Sequence, residues 1–445
     1  MELIKVKFLH ILKNGYIIFF FTMIATSQNH YHQNVFKSAK NEFTSFKKSG
    51  DVNQLSNAFE KIEIIRTSKD NELSNYEIYD FNDFFLFGEI YFEIFESYRK
   101  GILKKSYNPN FLRQEESGRM SFVIFLKLFD DFPKNNSLRN KIIEYFKKLE
   151  ISLSDEFIIT SENYNYATLN DVGCLIDLQN IYSHINHENF DNAKLEKYTF
   201  WYAGTAVKLG MKNKALEKYI ELYNKNYKEV IVYAHLFDLT IDTNEKQAFE
   251  YLEKGKILFS DNPDLIGREL LHYKNKKEYD LYVQKFIDIA SKDPKNISLQ
   301  IDVITACLEA AIDFQYESSE FKKFEEKALK HYDLVLKKSP NETEVYFYLG
   351  LFYGKISAGL MQELQKTNDN QQKTLIEQKI AINFNKMKSY LKDAERSNPN
   401  HLNTLTILHA IYKEEGDVKL TKEFQTRIDN FNNNVSNSSY FKANN

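Results

Sequence analysis

Between Val35 and about Asn430 the apolar residues recur three or four positions apart in run after run, with polar residues filling the gaps, which predicts helices nearly throughout. Val35, Phe36, Ala39, Phe43 and Phe46 form one stripe, Gly50-Asp51 breaks it, and Leu55, Ala58, Phe59 and Ile62 resume it, so the first element is a helical hairpin. Asn75 to Ile102 reads as a longer helix carrying Phe81, Phe84, Phe85, Phe87, Tyr91, Phe92, Phe95 and Tyr98, too aromatic all round to be buried on one face alone. It stops before Asn108-Pro109. Met120 to Phe132 follows, ended by Pro133, with Leu138 to Leu149 as its partner. Asp155 to Asn170 is the irregular stretch: Phe157-Ile158-Ile159-Thr160 favours strand and Asn and Tyr follow, predicting a loop or a short strand-like connector.

From about Leu195 the helices come in pairs with an internal period. One pair holds Phe200 to Gly204, Gly210, Ala215 and Tyr219; the next holds Tyr233 to Leu239, Ala248, Leu252 and Gly255, and Ala215 to Ala248 is 33 residues. Four proline turns of one form follow, at Asn262-Pro263, Asp293-Pro294, Ser339-Pro340 and Asn398-Pro399. Each proline follows one apolar stripe and precedes another, so each closes a pair and opens the next. The prolines are 31, 46 and 59 residues apart, so the last two units exceed a 34-residue repeat by about 12 and 25 residues. The longest excess has few breakers besides Asn368-Asp369-Asn370, which predicts two long arms, about Glu344 to Thr367 and Gln371 to Ser397.

At these junctions the sequence resembles the tetratricopeptide repeat (TPR) family. Ala328, Tyr332, Val335 and Pro340 match the second helix of one repeat, with Val335 where the family carries Ala; Tyr346, Leu349, Gly350 and Tyr353 match the first helix of the next, and Leu405, Leu408, Tyr412 and Gly416 suggest another. Small residues let the two helices of a unit approach, and aromatics fill the space against the next unit. Taken as a whole the chain looks like secreted Bacteroidetes-type TPR proteins with one lengthened repeat. The resemblance implies an all-α, TPR-like α-α superhelical solenoid with an elongated helical hairpin near the C-terminus. The expected organisation is a signal peptide over 1–27, a divergent helical-hairpin region over 28–155, a connector and helix over 156–192, a TPR-like array over 193–430 with the long hairpin at 344–397, and a disordered Asn- and Ser-rich tail over 431–445.

Composition changes this picture little. With 43% hydrophobic and 27% charged residues and only 14 Gly and 6 Pro in 445, the chain has the apolar surface for packed cores and few breakers. A net charge of -3 supplies no basic field for a phosphate backbone, so nucleic acid is not expected as a ligand. Cys174 and Cys307 each sit inside an apolar helical pattern and read as buried free thiols.

The start of the chain reads as a targeting segment. Lys5, Lys7 and Lys13 precede the apolar run Tyr16 to Ile24, and Ala25-Thr26-Ser27 offers a cleavage site after Ser27. The run is shorter than the roughly 20 residues a spanning helix needs, so the expectation is export to the periplasm or outside, with no stable membrane span after cleavage.

Candidate chemistry is sparse. His184 and His187 stand at i and i+3, but no carboxylate or Cys cluster supports a metal, and a solvated helix end is the simpler reading; His30 and His32 fall just past the cleavage site. Asp130-Asp131 sits at a helix end as a capping or solvated pair. No phosphate loop, nucleophile elbow or His-Glu-x-x-His occurs, so neither enzyme activity nor a cofactor is expected. What the resemblance implies instead is a partner-binding face of first-helix residues: Lys197, Phe200, Gly204 and Lys208 in one unit, Tyr233 and Phe237 in the next, and Phe347, Leu351 and Lys355 in the lengthened one. Lys beside aromatic surface suits a protein or peptide segment with an acidic group. The expected function is therefore a non-enzymatic protein-protein interaction scaffold or assembly factor of the cell envelope, with a periplasmic peptide- or glycan-binding protein as the alternative.

Overall fold

The computed structural model describes residues 29–67, 81–102, 116–131, 136–160, 165–260 and 262–443. Among them the chain is helical without a strand, and it divides into two compact units that meet in sequence at Asn262 and Pro263. The predicted signal segment, the turns at Pro109 and Pro133 and the start of the aromatic helix lie outside the described residues.

The first unit contains α1 (Asn29–Ser49), α2 (Val52–Thr67), α3 (Phe81–Arg99), α4 (Ser117–Asp131), α5 (Asn136–Thr160), α6 (Tyr166–His184), α7 (Asn192–Lys208), α8 (Lys212–Asn224), α9 (Val230–Thr240) and α10 (Glu245–Leu258). Successive helices pack against one another, and where the described turn is only a few residues long, as at Gly50-Asp51 and between Lys208 and Lys212, the chain has no room to do other than return antiparallel. The aromatic helix behaves as its composition requires: Phe87, Ile90, Tyr91, Phe92, Ile94 and Phe95 are buried on several sides of α3. His30 and His32 fall within α1.

One expectation is corrected. Asp155 to Thr160 is not a strand-like connector but the last part of α5, since Phe157 stacks face to face on Trp201 of α7 at 4.3 Å between ring centroids. A tertiary contact overrides a local preference worth at most about 1 kcal/mol.

The second unit contains α11 (Pro263–Asn275), α12 (Tyr279–Lys292), α13 (Ile297–Ile312), α14 (Ser319–Lys338), α15 (Thr343–Lys366), α16 (Asn370–Ser397), α17 (Leu402–Glu414), α18 (Val418–Asn432) and α19 (Tyr440–Ala443). Every proline of the four turns lies between one pair and the next, as the pattern predicts, with Pro263 at the first position of α11 where its missing N–H costs nothing. Side-chain caps fix several starts: Asn296, Ser318, Asp369 and Asp417 accept backbone N–H bonds from the third residue on. Gly416, at φ 74°, closes α17 so that the Asp417 N–H reaches back to the Tyr412 carbonyl at 3.0 Å.

The long hairpin is α15 and α16, of 24 and 28 residues, hence about 36 and 42 Å at about 1.5 Å per residue. The arms approach closely at Gly350, where an added Cβ would stand 3.0 Å from two atoms of the buried Leu391 side chain. At the base, Thr343 Oγ1 donates to Ser397 Oγ at 3.0 Å, and Ser397 Oγ donates to the Asn341 carbonyl. Tyr332, Tyr346, Tyr353 and Tyr390 gather there from α14, α15 and α16, Tyr353 and Tyr390 stacked at 5.7 Å.

Tyrosine abundance has a second use in both units, because a phenol can bury its ring and still serve a carboxylate. Tyr91 donates to Glu63 at 2.6 Å, Tyr145 to Glu89 at 2.6 Å, Tyr198 to Glu150 at 3.0 Å, Tyr282 to Glu309 at 2.8 Å and Tyr353 to Glu325 at 2.8 Å. Each of these bonds joins two helices, so the carboxylates work as ties between neighbours in the stack.

The tail also differs from expectation. Over 431–443, residues 444–445 lying outside the described part, the chain continues α18 to Asn432, doubles back, and docks Ser439 and Phe441 as buried residues against α16 and α18. Asn and Ser content suggests disorder only when no buried acceptor awaits those groups.

Candidate partner-binding surface

Helix α7 begins at Asp191, whose carboxylate accepts the backbone N–H groups of Ala193 at 2.8 Å and Lys194 at 3.4 Å. Its inner side buries Leu195, Tyr198, Thr199, Ala203 and Ala206. Lys197, Phe200, Gly204 and Lys208, spaced i, i+3, i+7 and i+11, then fall on one outer stripe. Lys197 is exposed and its Nζ stands 4.6 Å from the centre of the Trp201 ring. Phe200 is half-buried against Tyr227 at 5.7 Å, and Lys208 is exposed. At Gly204 an added Cβ would meet only the Tyr219 hydroxyl, at 3.9 Å. The Tyr227 phenol is pushed up, first by burial and then by Glu229 and Glu196, so acids flank this stripe as well as lysines.

The two candidate residues on α9 are placed elsewhere. Tyr233 is fully buried, its ring against Tyr223 and Phe259 and its hydroxyl donating to the Tyr227 carbonyl at 3.2 Å. Phe237 is buried edge-on against Phe249 of α10. Both serve the contact between helices rather than an accessible face, because residues on α9 at i and i+4 share the side that α10 covers.

In the second unit Phe347, Leu351 and Lys355 share a face of α15 at i, i+4 and i+8. Phe347 is buried there, edge-on to His401 at 4.8 Å; Leu351 is half-buried against the core and Lys355 is exposed. The nine sequence candidates thus divide between two units, six in the first and three in the second, and only in α7 does a unit bring an exposed lysine pair and a half-exposed ring onto one stripe.

This chain matches no family model, and no curated protein matches it. Among solved structures, MamA from MSR-1 is 18% identical over 44% of this chain and 95% of its own length, with a TM-score of 0.24. Human IFIT1, solved as a dimer with m7Gppp-AAAA, is 13% identical over 77% of this chain and 72% of its own length, with a TM-score of 0.27. Likenesses of that order transfer no residue role, and the fold stands on the chain's own helix pairing.

Trp201 was not among the candidates, though its i+4 spacing from Lys197 was a usable signal. The Tyr332, Tyr346, Tyr353 and Tyr390 cluster was legible only in part: Tyr346 and Tyr353 share a face by spacing, but Tyr390 joins them through the return of α16. Elsewhere, His187 Nδ1 accepts the Asn189 backbone N–H at 3.1 Å, and among the described residues no group of three or more His, Cys, Asp or Glu side chains is placed to hold a metal. No helix among the described residues is long and apolar enough to cross a membrane. Both cysteines are buried and free.

Proposed function

We propose that this chain is an exported, non-catalytic helical-repeat protein that binds a protein partner of the cell envelope through the outer stripe of α7. The observation that carries the reading is the stripe itself: exposed Lys197 and Lys208, with half-buried Phe200 and the open backbone of Gly204 between them. The lysines are 11 residues apart, about 16 Å along a helix at about 1.5 Å per residue, a span suited to a partner segment with acidic residues at both ends. Buried ties such as Tyr198 to Glu150 hold the backbone of α7, so the partner meets a preformed helix and on this side only the lysine side chains have to be ordered. Phe200 is the anchor, and the lysines steer and orient. Export rests on the basic and apolar character of the first 27 residues.

The test places a photo-crosslinking residue at Gly204 and, separately, at exposed Lys246 of α10, in the cells that make the protein. A discrete adduct from position 204 that is absent from position 246, and is lost when Phe200→Ala and Lys208→Glu are added, is the expected result. Identical adducts from both positions, or an adduct at 204 indifferent to those substitutions, would put the partner elsewhere. Protection of the chain's N-terminus from labelling in whole cells, with no cleavage after Ser27, would remove the export part separately.

A further inference from the structure

The end of the second unit is arranged as a receptor with a peptide in it. Helices α16 and α18 and the turn before α17 supply the receptor: Glu395 is fully buried and paired with Arg427, and Asn400, Phe424, Lys392 and Arg396 line the seat of the segment. The segment Asn437-Ser438-Ser439-Tyr440-Phe441-Lys442 supplies the ligand. Glu395 accepts Ser439 Oγ at 2.6 Å and the backbone N–H groups of Tyr440 at 2.7 Å and Phe441 at 3.4 Å, while Arg427 Nη1 donates to it at 3.2 Å. Three of those four donors come from the tail. Arg427 Nη1 also donates to the Ser438 carbonyl at 2.5 Å. Asn400 Oδ1 accepts both the backbone N–H of Asn437 at 2.8 Å and its side-chain amide at 3.1 Å.

Recognition extends to the rings. Phe441 is buried against Phe424 at 5.8 Å, with Lys392 Nζ 5.4 Å and the Arg396 guanidinium 5.9 Å from its centre. Tyr440 lies 6.1 Å from Phe424 and 5.6 Å from the Arg427 guanidinium. By contrast, the connector 433–436 is exposed along its whole length. A carboxylate stripped of water is costly to leave with one partner, so the receptor demands a ligand that brings donors to it. The ligand is defined at four positions: an amide side chain, a hydroxyl two residues on, and two consecutive aromatic rings.

We infer that the C-terminal end of this repeat stack is a peptide-recognition site for Asn-x-Ser-aromatic-aromatic segments, occupied in cis by the chain's own tail through an exposed connector. This site is independent of the α7 stripe and stands or falls without it. A tethered ligand competes at an effective concentration in the millimolar range, so a segment offered in trans gains access only when the tail is released.

The experiment keeps the full chain. A protease site is inserted in the exposed connector 433–436, the folded protein is cleaved, and a fluorescent synthetic peptide of residues 437–445 is titrated against cleaved and uncleaved protein by anisotropy. The cleaved protein should bind it at least about 10-fold more tightly than the uncleaved one. Peptides carrying Ser439→Ala or Phe441→Ala should bind at least about 10-fold more weakly than the parent. Changing the peptide rather than Glu395 leaves the receptor folded in every arm, and circular dichroism before and after cleavage confirms that it is. Equal binding to both forms, no binding to the cleaved and folded form, or indifference to both peptide substitutions overturns the inference.

Discussion

Replacing Glu150 by Ala should loosen the first unit by about 2–4 kcal/mol, and the chain's sole tryptophan reports it. Glu150 Oε1 accepts Gln179 Nε2 at 2.9 Å, Lys194 Nζ at 2.9 Å and Tyr198 Oη at 3.0 Å. With the carboxylate gone, Lys194, whose side chain is 47% exposed, turns to water at little cost. Gln179 and Tyr198 cannot, being 0% and 3% exposed, and each buried donor left without an acceptor costs about 1–3 kcal/mol. Allowing some relaxation, the two together give the stated range. Trp201 lies 5.6 Å from the Tyr198 ring and 4.3 Å from Phe157, so its fluorescence follows this region and not the second unit. That separation matters because a chain of two units need not unfold in one step. Urea titration of Trp201 emission should therefore move to lower midpoint, and a thermal scan should fall by roughly 5–15 °C for a unit of this size. A cycle with Tyr198→Phe should be non-additive by at least about 1 kcal/mol, since the phenol loses nothing further once its acceptor is absent. A loss under about 0.5 kcal/mol, or strict additivity, would show that the carboxylate is not the tie the geometry makes it.

Other perturbations separate packing from titration. Gly118→Ala should destabilise the first unit by about 1–2 kcal/mol, because the new Cβ would stand 2.7 Å from the ring of fully buried Phe95 and the strain exceeds the gain in helix propensity; Trp201 emission in urea checks it. Gly359→Ala in α15 meets nothing within 4 Å and should stabilise the second unit by about 0.5–1 kcal/mol, read by circular dichroism; a loss would mean the arm is not a regular helix there. The His331 pKa is lowered, by burial first and by Lys330 second, while its Nδ1 faces Gln300 Oε1 at 3.0 Å. The unfolded chain therefore takes up the proton first, so the stability due to neutral His331 is complete above about pH 6.5 and is lost as pH falls through the lower folded value. Thermal midpoints between pH 7.5 and 5.5 should fall less steeply for His331→Gln, and identical slopes would refute it. Cys307, pushed up to about 12 by burial, and Cys174, raised by burial and then by Asp171 and Asp177, should react with a thiol reagent only as fast as the chain opens; rapid modification of either in the folded protein would place that thiol at the surface.

Much of the architecture is legible in the sequence, and the reason is local. Proline between Ser339 and Asn341, glycine at 416 and the i, i+4 runs from Tyr346 to Tyr353 act through the backbone within a few residues of themselves, so the pairs, their turns and the two long arms of α15 and α16 follow from the sequence alone. The candidate stripe on α7 was legible for the same reason, since helical spacing places Lys197, Phe200, Gly204 and Lys208 together whatever surrounds them.

Burial is not local. Whether an aromatic at a first-helix position faces solvent or a neighbour depends on which helix returns beside it, and so Tyr233, Phe237 and Phe347 were expected on an open face and are buried instead. Phe157-Ile158-Ile159-Thr160 carries a strand preference that one stacked partner, Trp201, outweighs from more than 40 residues away. The tail makes the point most sharply. Asn437, Ser439, Tyr440 and Phe441 form no periodic pattern, and their order comes from Glu395, Asn400 and Arg427, which the sequence places 10 to 46 residues earlier and folding brings within hydrogen-bonding or packing reach. The sequence by itself determined where this chain is helical and where it turns, because those choices are made over a few residues of backbone. Only the tertiary structure decided which side chains remain for a partner and which are already taken, because that depends on buried acceptors and neighbouring rings supplied from distant parts of the chain.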